Sequence, residues 1–101
     1  GSPVNIDIMN TNSPNSCILY QNYPNPFNPI THLKFRISKL GFVSLKVYNL
    51  LGKEVKTLVN EIKPAGRFKI EFDGSNFASG VYFYKLEAGE FIETKRMILL
   101  K

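Results

Sequence analysis

The sequence predicts an antiparallel β-sandwich of about seven strands, and three observations carry that expectation. Apolar and polar residues alternate with period two through several short runs, the pattern of strands with one buried face. Turn residues, chiefly Gly, Pro, Asn and Asp, separate those runs at short intervals. No run shows the 3.6-residue apolar period of a helix. At 101 residues the chain is long enough for one domain with a modest core. Hydrophobic residues make up 44% and aromatics 13%, a composition that folds rather than one that stays disordered. Trp is absent, so Phe and Tyr must supply the bulk.

Residues 1–17 read as a tag remnant and linker, with the domain proper over 18–101. Gly1-Ser2 has the look of a scar left by a cleaved tag, so the natural export signal is expected on a larger precursor. Val4, Ile6 and Ile8 alternate with Asn5 and Asp7, enough for one short edge strand. Asn10 to Ser16 is polar and turn-prone.

Tyr20-Gln21-Asn22-Tyr23-Pro24-Asn25-Pro26-Phe27-Asn28-Pro29 is the stretch behind which the strands are arranged. Three prolines remove three backbone donors and fix three φ angles near −65°. Tyr23, Asn25 and Asn28, each preceding a proline, are held extended. The segment is therefore a stiff strap, excluded from helix and from any central strand. Its structural residues are Tyr23, Pro24, Pro26, Phe27 and Pro29, with both rings expected to pack inward. The alternative, a polyproline ligand for an aromatic groove, lacks a repeated PxxP register.

Leu33, Phe35 and Ile37 alternate with Lys34, Arg36 and Ser38 in the first clear strand. Val43, Leu45 and Val47 mark the second, and Asn49-Leu50-Leu51-Gly52 its turn, where Gly52 can take positive φ. Val55 to Val59 is β-rich but alternates poorly. Lys63-Pro64-Ala65-Gly66 fits a type I turn. Phe68, Ile70 and Phe72 follow, closed by Asp73-Gly74. Val81 to Leu86 is apolar on both faces and so belongs at the centre of a sheet, with Tyr82, Tyr84 and Leu86 inward. Gly89 makes a tight hairpin into the last strand, Phe91 to Leu100.

Catalysis finds no support in this chain, and no cofactor is implied. The one histidine, His32, and the one cysteine, Cys17, form no nucleophile–base pair. A lone cysteine also excludes an internal disulfide, and Cys17 reads as a small filler or a linker thiol. No cluster has the spacing of zinc ligands. Asp73-Gly74-Ser75-Asn76 offers oxygen ligands but lacks the spaced carboxylates of a calcium loop, so turn chemistry explains it. The net charge of +5 admits anionic partners, yet the basic residues are spread over nearly every strand as on a solvated face. No nucleic-acid motif appears, and nucleic acid is not expected as a partner. No stretch reaches the length of a membrane-spanning helix.

Several motifs together carry a resemblance. Gln21-Asn22-Tyr23-Pro24-Asn25-Pro26-Phe27-Asn28-Pro29 comes first, followed by Val47-Tyr48-Asn49-Leu50-Leu51-Gly52 and Ala65-Gly66. Phe72-Asp73-Gly74, Ser79-Gly80-Val81-Tyr82 and Lys95-Arg96-Met97-Ile98-Leu99-Leu100-Lys101 follow in order. Over residues 18 to 101 the chain resembles the type A C-terminal sorting domain of the type IX secretion system of Bacteroidota. It is also similar to the immunoglobulin-like domains of flagellar hook-capping proteins. The resemblance implies an immunoglobulin-like fold and a secretion signal that directs a larger cargo across the outer membrane. It further implies the type IX translocon and its shuttle proteins as partners, a covalently linked cargo upstream, and removal by a sortase-like peptidase. The cargo would then be attached to anionic lipopolysaccharide at the cell surface or released, after transit through the periplasm. Such a signal stands at the C-terminus of its precursor, and the end at Leu100-Lys101 agrees.

Within that frame the recognised residues are expected to be Lys95, Arg96, Met97, Ile98, Leu99, Leu100 and Lys101. Four successive apolar residues exceed what one buried face needs. Met97 and Leu99 should face the core, leaving Ile98 and Leu100 on a basic-flanked edge open to a receptor. Two other readings remain: a structural immunoglobulin-like spacer, and an accessory carbohydrate-binding module with Phe83 and Val81 as its candidate outer-face contacts.

Overall fold

The computed structural model describes residues 16–101. The Val4–Ile8 alternation lies outside them. Seven strands follow one another: β1 (Ile18–Leu19), β2 (Ile30–Ile37), β3 (Gly41–Tyr48), β4 (Glu54–Lys63), β5 (Gly66–Asp73), β6 (Gly80–Ala88) and β7 (Phe91–Leu99). They form a three-stranded sheet in the order β1-β2-β5 and a four-stranded sheet in the order β4-β3-β6-β7. All strand pairings within the two sheets are antiparallel, so the fold is the all-β sandwich that the alternation predicts.

The inward rows are those the periodicity selects. Leu33, Phe35 and Ile37 from β2, and Val43, Leu45 and Val47 from β3, are buried. So are Tyr82, Tyr84 and Leu86 from β6 and Met97 and Leu99 from β7. Across β2 and β5 the register places Phe35 opposite Phe68, and their rings stack at 5.4 Å. β6 lies between β3 and β7, the central position its β-rich run predicts, with Val81 and Phe83 half-buried on the outer side.

β4 alternates poorly for a local reason. The β3–β4 register slips between Leu45 and Lys46 and again between Val47 and Tyr48, so Leu58 and Val55 are extra residues on the β4 side. Each bulge shifts the inward phase by one position, and a period-two count breaks there. The Asn49–Gly52 turn behaves as expected. Asn49 Oδ1 accepts the N–H groups of Leu51 and Lys53 at 2.9 and 3.0 Å, and Gly52 has φ of 85°.

Lys63-Pro64-Ala65-Gly66 has a larger task than closing a hairpin. It carries the chain from the four-stranded sheet to the three-stranded one, so β4 and β5 are consecutive but unpaired. After β5, Asp73 Oδ1 accepts hydrogen bonds from the Ser75 N–H and hydroxyl, the turn chemistry expected of that segment. Gly74 is buried against the ends of Leu99 and Phe27, where an added Cβ would meet atoms at 3.0 to 3.3 Å. Its lack of a side chain lets the β5–β6 loop close over the end of the sandwich.

Candidate functional site: the strap and the terminal strand

The segment from Tyr20 to Pro29 runs from one sheet to the other. At its start it continues β1 alongside β2. Tyr20 N–H donates to the Lys34 carbonyl, and Tyr23 and His32 exchange a pair of backbone bonds at 3.0 and 3.1 Å. At its end it reaches the free edge of β7, where Phe27 makes a parallel bridge to Leu99. Phe27 N–H donates to the Ile98 carbonyl, and Leu100 N–H donates to the Phe27 carbonyl, both at 2.9 Å. Asn25 Oδ1 accepts the Ile98 N–H at 3.0 Å, and Gln21 Nε2 donates to the Arg96 carbonyl at 2.7 Å.

Prolines explain why side-chain amides are needed here. A segment with three missing N–H groups cannot hold a neighbour by backbone pairing alone. Gln21, Asn22 and Asn25 supply what is missing. Asn22, 2% exposed, donates from Nδ2 to the Pro24 carbonyl and to Thr31 Oγ1. It accepts from Gln21 Nε2 at Oδ1. The buried Thr31 hydroxyl donates to the same Pro24 carbonyl at 2.8 Å. Tyr84 completes the knot: its hydroxyl donates to the Tyr20 carbonyl at 2.7 Å and accepts the Asn22 N–H at 2.8 Å. Among the described residues no buried side-chain polar atom lacks a partner.

Burial pushes the Tyr84 phenol up to about 12, with the Asn22 N–H opposing the shift and the Glu93 charge adding to it. A raised value means that the neutral phenol is the form the fold prefers. Its contribution to stability is therefore complete below pH 10, the ordinary phenol value, and is lost as pH rises from 10 to about 12. The Tm advantage of wild type over Tyr84→Phe should narrow across that window. A gap that stays constant from pH 8 upward, well below the phenol range, to about 12 would show that folding does not shift the phenol.

The strap residues divide. Phe27 is buried, edge-on to Phe72 at 5.9 Å. Tyr23 is not the inward ring expected of it; it stands 78% exposed. Its backbone is committed to pairing with His32, and that geometry turns the ring to the outer face. Pro24 and Pro26 are exposed and Pro29 is half-buried. The peptide bonds preceding all three prolines are cis.

In the terminal strand, Met97 and Leu99 are inward, Ile98 is half-buried, and Leu100 is exposed. The edge itself is not open, because the strap occupies its backbone groups from Arg96 to Leu100. Any recognition there must use side chains. Ile98 lies opposite Val81, and Arg96 opposite Phe83, so these four share the outer face of the four-stranded sheet. Lys95 is separated from Arg96 by the strand pleat and pairs with Glu93 at 3.2 Å. Lys101 turns back to the β5–β6 loop, where Nζ donates to the Ser75 carbonyl at 2.6 Å. Cys17 is half-buried, its Sγ 3.4 Å from Ser38 Oγ.

Period-two alternation does not mark Gln21, Asn22, Asn25, Thr31 and Tyr84 as the working set they form in the fold. The available signal was amides placed between prolines, in a segment short of its own donors.

The match to the secretion system C-terminal sorting domain family spans residues 21–100. It opens at Gln21, the first of the strap amides, and closes at Leu100, whose N–H the strap holds. Comparison with curated proteins found no match, and comparison with solved structures found none either. With four-fifths of its length matched, the chain belongs to the secretion system C-terminal sorting domain family, the C-terminal sorting signal of type IX secretion.

Proposed function

We propose that this module steers a larger protein, joined covalently upstream, through the periplasm and then the type IX translocon with its shuttle proteins. A sortase-like peptidase then removes the module and transfers the cargo to anionic lipopolysaccharide at the surface; alternatively the module stays and anchors the cargo there. The module does no chemistry and takes no cofactor. Its work is to be recognised. The family match over residues 21–100 carries this reading, and the satisfied state of the strap knot supports it. Polar groups that are fully satisfied by internal hydrogen bonds fix a single shape that a receptor can read.

Recognition at the terminal strand falls to outward side chains, Ile98 and Leu100 beside Val81. Replacing Ile98 and Leu100 together with Thr keeps β propensity and leaves the strap's backbone bonds in place. The expected result is a Tm within a few degrees of wild type and a cargo retained in the periplasm. Normal export by the folded double variant would remove Ile98 and Leu100 from the signal.

A further inference from the structure

β1, β4, β5 and β7 stand at sheet edges, and an open edge invites pairing with another chain. Three of these edges are blunted. β1 is only two residues long. β4 carries two bulges against β3, and the strap occupies the edge of β7. β5 has none of these devices, and its eight rungs with β2 run without a register shift. Among the described residues nothing pairs with its other side. The backbone groups on that side follow from β2. His32 exchanges backbone bonds with Tyr23, and the Lys34 carbonyl accepts from Tyr20, so both residues turn away from β5. Thr31, Leu33 and Phe35 therefore turn towards β5, where Phe72, Ile70 and Phe68 answer them. Arg67, Lys69, Glu71 and Asp73 then direct their N–H and C=O groups out of the sheet edge.

The sequence of this edge is complementary to itself. About Ile70, Arg67-Phe68-Lys69 is answered by Glu71-Phe72-Asp73, so the charge inverts while the aromatic repeats. Two copies set antiparallel around Ile70 place Lys69 opposite Glu71 and Arg67 opposite Asp73, each pair occurring twice. All four side chains are exposed, and Cβ atoms directly opposite in such pairs stand roughly 5 Å apart. On the inner side Phe68 meets Phe72, and Ile70 meets its own copy. Phe68 and Ile70 are only half-buried in one chain, so apolar surface is left for the second copy to cover. Charges on an edge strand ordinarily discourage pairing; here they select a register. Moving the centre by one residue sets Lys69 against Lys69 or Glu71 against Glu71, and like charges directly opposite are destabilising.

We infer that β5 is a self-pairing edge, through which two copies of this chain join their three-stranded sheets into one continuous antiparallel sheet. The pairing does not depend on the sorting role, and it uses a different sheet from Ile98 and Leu100. One pair of eight-residue strands makes a small interface. Association is accordingly weak, half-complete on the order of 0.1–1 mM.

Sedimentation and amide exchange of the full 101-residue chain, followed as its concentration rises, test the pairing. A dimer should form, and exchange should slow at Arg67, Lys69, Glu71 and Asp73. Phe68, Ile70 and Phe72, already bonded to β2, should change little. Lys69→Glu and Glu71→Lys should each weaken self-association at least about tenfold, because each sets like charges opposite one another twice. Mixing the two variants should restore it, since every Glu at these positions then faces a Lys. Both changes in one chain should restore it as well. Recovery of either kind excludes misfolding as the cause of the single losses. A monomer at every concentration, single variants that dimerise like wild type, or a mixture that stays apart would overturn the inference. Concentration-dependent protection confined to another strand would overturn it too.

Discussion

Phe27→Ala should destabilise the domain by about 3–5 kcal/mol, the usual cost of emptying a buried phenylalanine site. For a domain of this size that is a fall in Tm on the order of 15–25 °C. The ring is 2% exposed, and its backbone holds both the Ile98 carbonyl and the Leu100 N–H. Loss of the ring should therefore loosen β7 as well as the strap. Hydrogen exchange at Leu100 and Ile98 should speed up more than exchange at Leu45, which lies in the sheet centre. Phe27→Leu, which keeps most of the volume, should recover much of the loss. A cost below about 1 kcal/mol for Phe27→Ala would mean that the strap does not close onto the core.

Tyr84→Ala should be at least as severe. Truncation removes a side chain with no exposed surface, at about 3–5 kcal/mol by analogy with other large aromatics. It also leaves the Tyr20 carbonyl and the Asn22 N–H without their partner, for about 1–3 kcal/mol more unless water enters. Against a total stability of about 5–15 kcal/mol, the variant should be largely unfolded or close to it. Tyr84→Phe keeps the ring and loses only the hydroxyl. Denaturant unfolding of the two variants divides packing from hydrogen bonding: a Phe variant as weak as the Ala variant would place the whole effect in the knot.

Much of the sandwich is legible in the chain because burial on one face leaves a period-two trace. Phe35, Val43, Tyr84 and Met97 all sit where alternation puts them. β4 is legible only in part, since its two bulges reset the phase and the strand extends to Lys63. The pairing of β2 with β5 leaves no local trace at all. Lys34 and Lys69 are 35 positions apart, and only the sheet order makes them neighbours. Charges that look dispersed along the sequence are for that reason concentrated in the fold. Tyr23 departs from its expected inward place for the opposite reason: the ring's hydrophobicity points it to the core, but the backbone pairing with His32 turns it outward.

The strap joins Gln21 to Arg96, 75 positions away, and Asn25 to Ile98, 73 positions away. Contacts of such separation form late, because the intervening chain must be ordered before they repay the closure entropy. An incomplete chain holds a strap with nothing to close on, its amides and Phe27 still facing water. The domain therefore acquires its final outline in one closing event that requires both of its ends. A receptor that reads this outline would thereby accept only chains in which this domain has folded through β7.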